Sequence, residues 1–323
     1  MDLTLPHLPP LSLYVHLPWC VRKCPYCDFN SHAMGENAPL ERYIDALLSD
    51  LDAEAELAGD RELTSVFLGG GTPSVFSPGP IDRLLEGIDE RFMLEDAAEI
   101  TMEANPGTVE CGDQAGYRRA GINRLSIGAQ SFSPQSLAVL GRVHGVDDIG
   151  RAVREARDAG FDNINIDLMY GLPGQDVAAA LFDIEQATRL QPQHLSWYQL
   201  TLEPNTIFHA RPPAGLPDEE QSFAIQERGQ ALLADLGFEQ YEVSAYARDS
   251  LRCRHNLNYW SYGDYLAVGA GAHGKISDEV GIWRYAKPAN PKQYMETMET
   301  GTKTAEPRPV PPADRLFEFM LNA

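Results

Sequence analysis

Leu11-Ser-Leu-Tyr-Val-His-Leu-Pro-Trp-Cys20-Val-Arg-Lys-Cys24-Pro-Tyr-Cys27-Asp-Phe29 runs from an apolar, strand-like stretch straight into three cysteines. Leu11–Leu17 has the branched and apolar composition of a buried strand. Similar runs recur at Ser65–Leu68, Glu99–Ala104, Arg124–Gln130, Asn163–Met169 and His194–Leu200, with helically spaced segments between them. That alternation predicts an α/β fold with a parallel sheet and crossover helices. In the segment 39–58, Leu40, Ile44, Leu47, Leu48 and Leu51 recur at three and four and form one apolar stripe, while Glu41, Asp45, Asp50 and Asp52 fall elsewhere. Gly59, Gly121, Gly160 and Gly237 each stop such a segment shortly before the next strand, at the left-handed position that ends a helix. Repeated units of this kind without a Rossmann-type glycine fingerprint predict a partial (β/α)6 TIM-like barrel, whose ligand site lies at the carboxyl ends of the strands.

After Leu200 the pattern changes. A proline-rich loop at 211–217 precedes a helix over Glu219–Leu236, and strands are expected near Tyr241–Tyr246, Tyr265–Ala270 and Ile282–Tyr285. The boundaries read as a barrel domain over 1–210, a smaller C-terminal α+β accessory region over 211–306, and 307–323 as an extended linker with the start of a further helical domain. The balance of 26 Lys+Arg against 47 Asp+Glu leaves a formal charge of −21, which repels a nucleic-acid backbone and argues against that class of partner. No run reaches the roughly twenty apolar residues of a membrane span. The amino terminus lacks a basic n-region, so a cytoplasmic location is expected. Three of the five cysteines fall within eight residues, which suits a metal or cluster site in a reducing compartment better than a disulfide framework. Cys111 and Cys253 have no neighbour in sequence, and Cys111 reads as an ordinary buried thiol.

Thiolates at Cys20, Cys24 and Cys27 can hold three irons of a cubane cluster from one short loop and leave the fourth iron open. Zinc is the rival, with His16 or His32 completing a four-ligand site. The spacing, followed by an aromatic residue, resembles the radical S-adenosylmethionine superfamily. Membership implies a [4Fe-4S] cluster whose open iron chelates S-adenosyl-L-methionine, with an electron from the cluster splitting the sulfonium to give a 5′-deoxyadenosyl radical. Gly69-Gly-Gly-Thr-Pro-Ser74, which alone reads as a tight turn, resembles the glycine motif of that family. Thr101-Met-Glu-Ala-Asn-Pro106, Ser126-Ile-Gly-Ala-Gln-Ser-Phe132, Leu140-Gly-Arg142 and Asn165-Ile-Asp-Leu-Met-Tyr-Gly-Leu-Pro173 narrow the resemblance to oxygen-independent coproporphyrinogen III oxidase and its relatives. Carried over by position, Tyr14, Tyr26, Gly70, Gly71, Thr72, Glu103, Gln130, Arg142 (expected on the helix after the fourth strand), Asp167 and Thr201 are expected to contact S-adenosylmethionine. A zwitterionic sulfonium ligand wants both carboxylates and a guanidinium fork. Taken alone, Asp167 reads equally as a helix cap.

The oxidase carries a further cysteine two residues beyond the third cluster cysteine, where this chain has Phe29. Arg252-Cys-Arg-His-Asn-Leu-Asn-Tyr-Trp260 resembles the His-Asn-x-x-Tyr-Trp signature of the HemW-type heme chaperones, a branch of the same family. That resemblance implies heme as a further cofactor, with His255 as axial ligand, Asn256, Tyr259 and Trp260 beside the porphyrin, and Arg252 and Arg254 toward propionates. A histidine among aromatics is otherwise a packing residue. The expected function is a heme chaperone that passes heme to an acceptor hemoprotein, a membrane respiratory enzyme that would bring the chain to the membrane, with no catalytic residue of its own. The alternatives are the oxidase itself, a radical decarboxylase of propionates, and a radical enzyme acting on another substrate.

Overall fold

The computed structural model describes residues 8–107, 113–301 and 307–322; Cys111 lies outside them. Strand β1 (Leu11–Leu17) leads into a short parallel ladder of β2 (Trp19–Cys20) with β3 (His32–Ala33), which brackets the cysteine loop. Strands β4 (Leu63–Gly70), β5 (Leu94–Ala104), β6 (Arg124–Gln130), β7 (Asn163–Tyr170) and β8 (His194–Gln199) follow, each parallel to its neighbour and running on from β1. Helices α1 (Leu40–Ala58), α2 (Pro78–Asp89), α3 (Gln114–Ala120), α4 (Pro134–Val139), α5 (Val146–Asp158) and α6 (Val177–Arg189) make the crossovers. All six expected strands and the parallel α/β order are present. The glycine stops at 59, 121, 160 and 237 each have positive φ.

The segment after Ala210 does not build a sheet of its own. Following α7 (Ile207–Ala210), it supplies α8 (Glu219–Asp235), β9 (Glu239–Gln240), β10 (Ala245–Ala247), α9 (Arg254–Trp260), β11 (Asp264–Val268), β12 (His273–Ser277), β13 (Ile282–Ala286), α10 (Pro291–Glu299), β14 (Arg308–Pro309) and α11 (Pro312–Asn322). β10 and β9 extend the β8 margin, whereas β11 pairs parallel with β1 and carries β12, β13 and β14. The sheet therefore runs β14-β13-β12-β11-β1-β4-β5-β6-β7-β8-β10-β9. The stretch expected as a linker is extended, yet Arg308 and Pro309 pair with β13 and Val310 donates its N–H to Ile282 O at 2.8 Å; proline is tolerated there because the strand is an edge. Helix α11 leaves Leu316, Phe317, Phe319 and Met320 exposed. No helix among the described residues is long and apolar enough to cross a membrane.

The apolar stripe of α1 buries Ile44, Leu47 and Leu51 as expected, but Asp50 and Glu54 are buried too, each 1% exposed. Their counter-charge is Lys287, which follows β13 and reaches Asp50 Oδ1 at 2.6 Å and Glu54 Oε1 at 2.7 Å. Burial works against the Lys287 charge, but the two carboxylates outweigh it and hold its pKa above the usual lysine value. Tyr294 donates to Asp50 Oδ2 at 2.8 Å and accepts the Gly269 N–H at 3.1 Å. The cluster thus welds α1 to the turn after β11. Lys287→Met strands two buried carboxylates and is expected to lower the unfolding free energy by roughly 3–5 kcal/mol. Urea denaturation reads this directly, and an unchanged midpoint would show that the pair contributes nothing.

Candidate cluster and ligand site

The cysteine loop has little regular structure and is held by backbone bonds on both sides. Gly71 N–H donates to Leu17 O and Thr72 N–H to Trp19 O, both at 2.8 Å, while Met34 N–H donates to Cys20 O at 2.7 Å. Two glycines make this approach possible. A Cβ on Gly71 would sit 2.6 Å from Trp19 O, and one on Gly70, at φ +113°, would strike the His16 ring at 2.5 Å. Asn30 pins the far end of the loop, its amide donating to Ala270 O and Ala289 O at 2.8 Å each.

Cys20, Cys24 and Cys27 line one cavity of about 350 Å³ together with Tyr26, Gly70, Gly71, Thr72, Glu103, Gln130, Arg142 and Asp167. Arg142 stands in the turn after α4 and not on a helix; from there its guanidinium reaches Cys24 Sγ at 3.5 Å, Gly128 O at 3.0 Å and the Asn105 side chain. Burial works against its charge, but Tyr26 and Cys24 outweigh it and hold its pKa above the arginine value. Cys27 Sγ lies 3.4 Å from Ser31 Oγ. Three thiols outside any disulfide with a fixed cation beside one of them suit a thiolate-held iron–sulfur cluster. Of the two imidazoles considered for a zinc site, His16 has both ring nitrogens engaged and His32 has one. His16 Nε2 donates to Asn30 O at 2.9 Å and its Nδ1 accepts from Tyr14 OH at 3.0 Å, while His32 Nε2 lies 3.2 Å from Asn30 Oδ1.

The strand ends carry two carboxylates into the cavity. Burial, reinforced by neighbouring Asp167, pushes Glu103 up to about 8 against the opposing Gly70 N–H, 3.2 Å from its Oε2. Asp167 is likewise raised by burial, opposed by bonds from Ser196, Asn165 and Ser126. Two raised, adjacent acids are complementary to a cation entering the cavity. Several lining residues were not expected: Asn105, Ser126, Gly128, Ser196 and Tyr198. Period-two spacing from residues already singled out could have found them, since Ser126 and Gly128 share a strand face with Gln130, and Asn105 stands two beyond Glu103.

Two expected contacts fall outside this cavity. Thr201 is exposed in the loop after β8, and Tyr14 lines a lateral cavity next to it. Of the His-Asn-x-x-Tyr-Trp segment, no residue lines the cluster cavity and Tyr259 lines the lateral one. The segment forms α9, which packs against β4 and β1, and Glu99 Oε1 accepts the N–H groups of Arg254 and His255 at 3.0 and 3.4 Å. His255 is 3% exposed; its ring stacks on Phe67 (4.9 Å, 26°) and meets Tyr259 edge-on (5.0 Å). Its Nδ1 lies 3.3 Å from Ser65 Oγ. Burial and the Arg124 charge push its pKa down to about 3, so the imidazole is neutral. Folded this way, His255 offers no face to a porphyrin, because the sheet and α9 close over it. Phe67 in turn underlies Gly69, whose added Cβ would meet it at 2.8 Å.

Residues 14–184 match the family model of the Radical SAM superfamily. The chain is 50% identical over 316 residues to the heme chaperone HemW of Escherichia coli, covering 98% of this chain and 82% of that protein. It is 50% identical over 323 residues to HemW of Haemophilus influenzae, covering 98% and 83%. Among solved structures, coproporphyrinogen III oxidase (HemN) from Escherichia coli, a radical SAM enzyme, superimposes with a TM-score of 0.83 at 27% identity, covering 98% of this chain and 75% of that one.

The Gly70 geometry generates a direct expectation. Gly70→Ala forces a Cβ into a left-handed conformation against His16 and should lower stability by about 1–3 kcal/mol, read by thermal unfolding; an unshifted transition would mean the strand end relaxes freely.

Proposed function

This chain belongs to the radical SAM superfamily, in its HemW branch, and from that premise we propose that it is a heme chaperone: it binds heme, carries a [4Fe-4S] cluster with S-adenosylmethionine, and hands heme to an acceptor hemoprotein in or at the cytoplasm, a membrane respiratory enzyme being the class of acceptor. Half identity to curated HemW chaperones along nearly the whole chain supports this reading. The observation that carries it in the site is Phe29, 61% exposed at the mouth of the cavity, where the oxidase is expected to carry a further cysteine.

Cys20, Cys24 and Cys27 hold the cluster, and Arg142 keeps a positive charge beside Cys24. When bound, the cluster supplies an electron and S-adenosylmethionine a sulfonium able to accept it. Gly70 and Gly71 bring bare backbone to the ligand, Glu103 and Asp167 meet its positive charges, and Tyr26, Thr72 and Gln130 close the wall. The resemblance to HemN makes the oxidase the second reading. Both are tested at once by adding heme to the anaerobically purified protein, following the Soret band and then its transfer to an apo-hemoprotein, and by offering coproporphyrinogen under reduction. Heme binding and transfer without decarboxylation are expected, whereas turnover without heme binding would reverse the assignment.

Two expectations follow from the site. Cys24→Ser should abolish the brown visible absorbance of thiolate-bound iron; iron and sulfide at wild-type levels would remove Cys24 from the ligands. Glu103 is protonated in the empty site below about pH 8, and a cationic ligand favours its ionised form. The dissociation constant for S-adenosylmethionine should therefore fall about tenfold from pH 7 to pH 9, as measured by calorimetry, and Glu103→Gln should flatten the profile.

A further inference from the structure

A second cavity of about 300 Å³ opens beside the cluster cavity and shares Gly70, Glu103 and Phe29 with it. We propose that this lateral cavity is where heme docks, with His273 as the axial ligand. The proposal rests on the heme-chaperone reading and names the residue that reading lacks, since the folded chain buries His255.

An axial imidazole must be reachable and must keep a ring nitrogen free of protein hydrogen bonds. His273, the first residue of β12, is exposed at the rim of the lateral cavity, and its ring makes no hydrogen bond to any described residue. The other described histidines are less suited. Both nitrogens of His16 and of His194 are engaged, His144 and His255 are 4% and 3% exposed, and His32 and His209 bond Asn30 and Leu202 and line neither cavity. The walls are aromatic: Tyr14, Tyr259 and Tyr265 lie within and Phe29 stands at the mouth. Flat apolar faces of this kind suit a porphyrin plane. A volume of about 300 Å³ is at the small end of ligand sites, so the macrocycle inserts by one edge and its propionates face solvent. That orientation also keeps them away from Glu103. Lys23, whose ammonium donates to Phe29 O and Ser31 O at 3.1 Å, sets a cation beside the mouth. The sharing of Gly70 and Glu103 places cargo next to the cluster ligand, so that one can sense the other.

The test is a spectroscopic titration of heme into the anaerobic, cluster-loaded protein, its His273→Ala, His273→Met and Phe29→Ala variants compared with wild type at equal iron and sulfide. His273→Ala should weaken heme binding about tenfold or more. His273→Met should retain heme with a displaced Soret maximum, the signature of an exchanged axial ligand, and Phe29→Ala should weaken binding without displacing the maximum. Variants whose affinity and Soret band superimpose on those of a heme-binding wild type would overturn the site while leaving the chaperone reading intact. A wild type that takes up no heme would instead overturn the chaperone reading itself.

Discussion

The close approach of Gly70 and Gly71 to His16, Pro18 and Trp19 is the constraint on which the site depends. A loop that must hold three thiols in fixed places has almost no secondary structure to stiffen it, so its backbone groups must be satisfied from outside. The end of β4 does this on one side and β3 on the other. Any side chain at either glycine would force the strand end away from the loop, and the donors at residues 71 and 72 would lose the carbonyls they serve. Asn30 completes the arrangement by tying the loop to Ala270 and Ala289, so residues far along the chain set the position of the cysteines.

That dependence is matched by the sheet order, in which the carboxyl-terminal third adds its strands to the same sheet. β11 lies against β1 and delivers the turn at 269–272, which the Asp50, Glu54 and Lys287 cluster and Tyr43 lock onto α1. α9 closes the opposite end of the sheet's inner face. A column of rings then runs from Tyr259 through His255 and Phe67 to the glycine strand, with Tyr14 and His16 beside it. Aromatic stacking of this kind transmits position because packed rings leave few alternative arrangements. The histidine of that motif packs here between Phe67 and Tyr259.

The interior between floor and mouth is unusually polar. Asn165 donates to Ser126 Oγ, Asp167 Oδ1 and Ser196 Oγ, and accepts from His194, while Arg124 lies 3.8 Å from Glu99. Hydrogen bonds from Ser196, Asn165 and Ser126 hold Asp167 in place and oppose the upward push of burial. Glu103 accepts one backbone N–H, from Gly70, and burial reinforced by Asp167 raises it to about 8. Such a pair is costly to a folded chain unless a positive charge arrives, which makes the cavity complementary to a cationic ligand.

The strands, their parallel order, the crossover helices and the three cysteines were legible in the sequence, because each is written in local periodicity or in a short spacing that one loop can satisfy alone. Eight of the expected ligand contacts, from Tyr26 to Asp167, line the cavity; six of them stand at or near strand ends that local pattern locates, while Tyr26 comes from the cysteine loop and Arg142 from the turn after α4. Tertiary structure decided the rest. Asp50 fell off the apolar stripe of α1 and is buried all the same because its partner Lys287 lies more than two hundred residues away, and the stretch at 307–310 looked like a linker because the edge of β13 that it pairs with is not encoded nearby. His255 looked like a heme ligand because a sequence shows which side chains are present but not what covers them; burial by β4, Phe67 and α9 is a long-range outcome of packing. His273 carried no local signal at all, and only the fold brings it to the rim of a cavity whose other walls come from four distant segments.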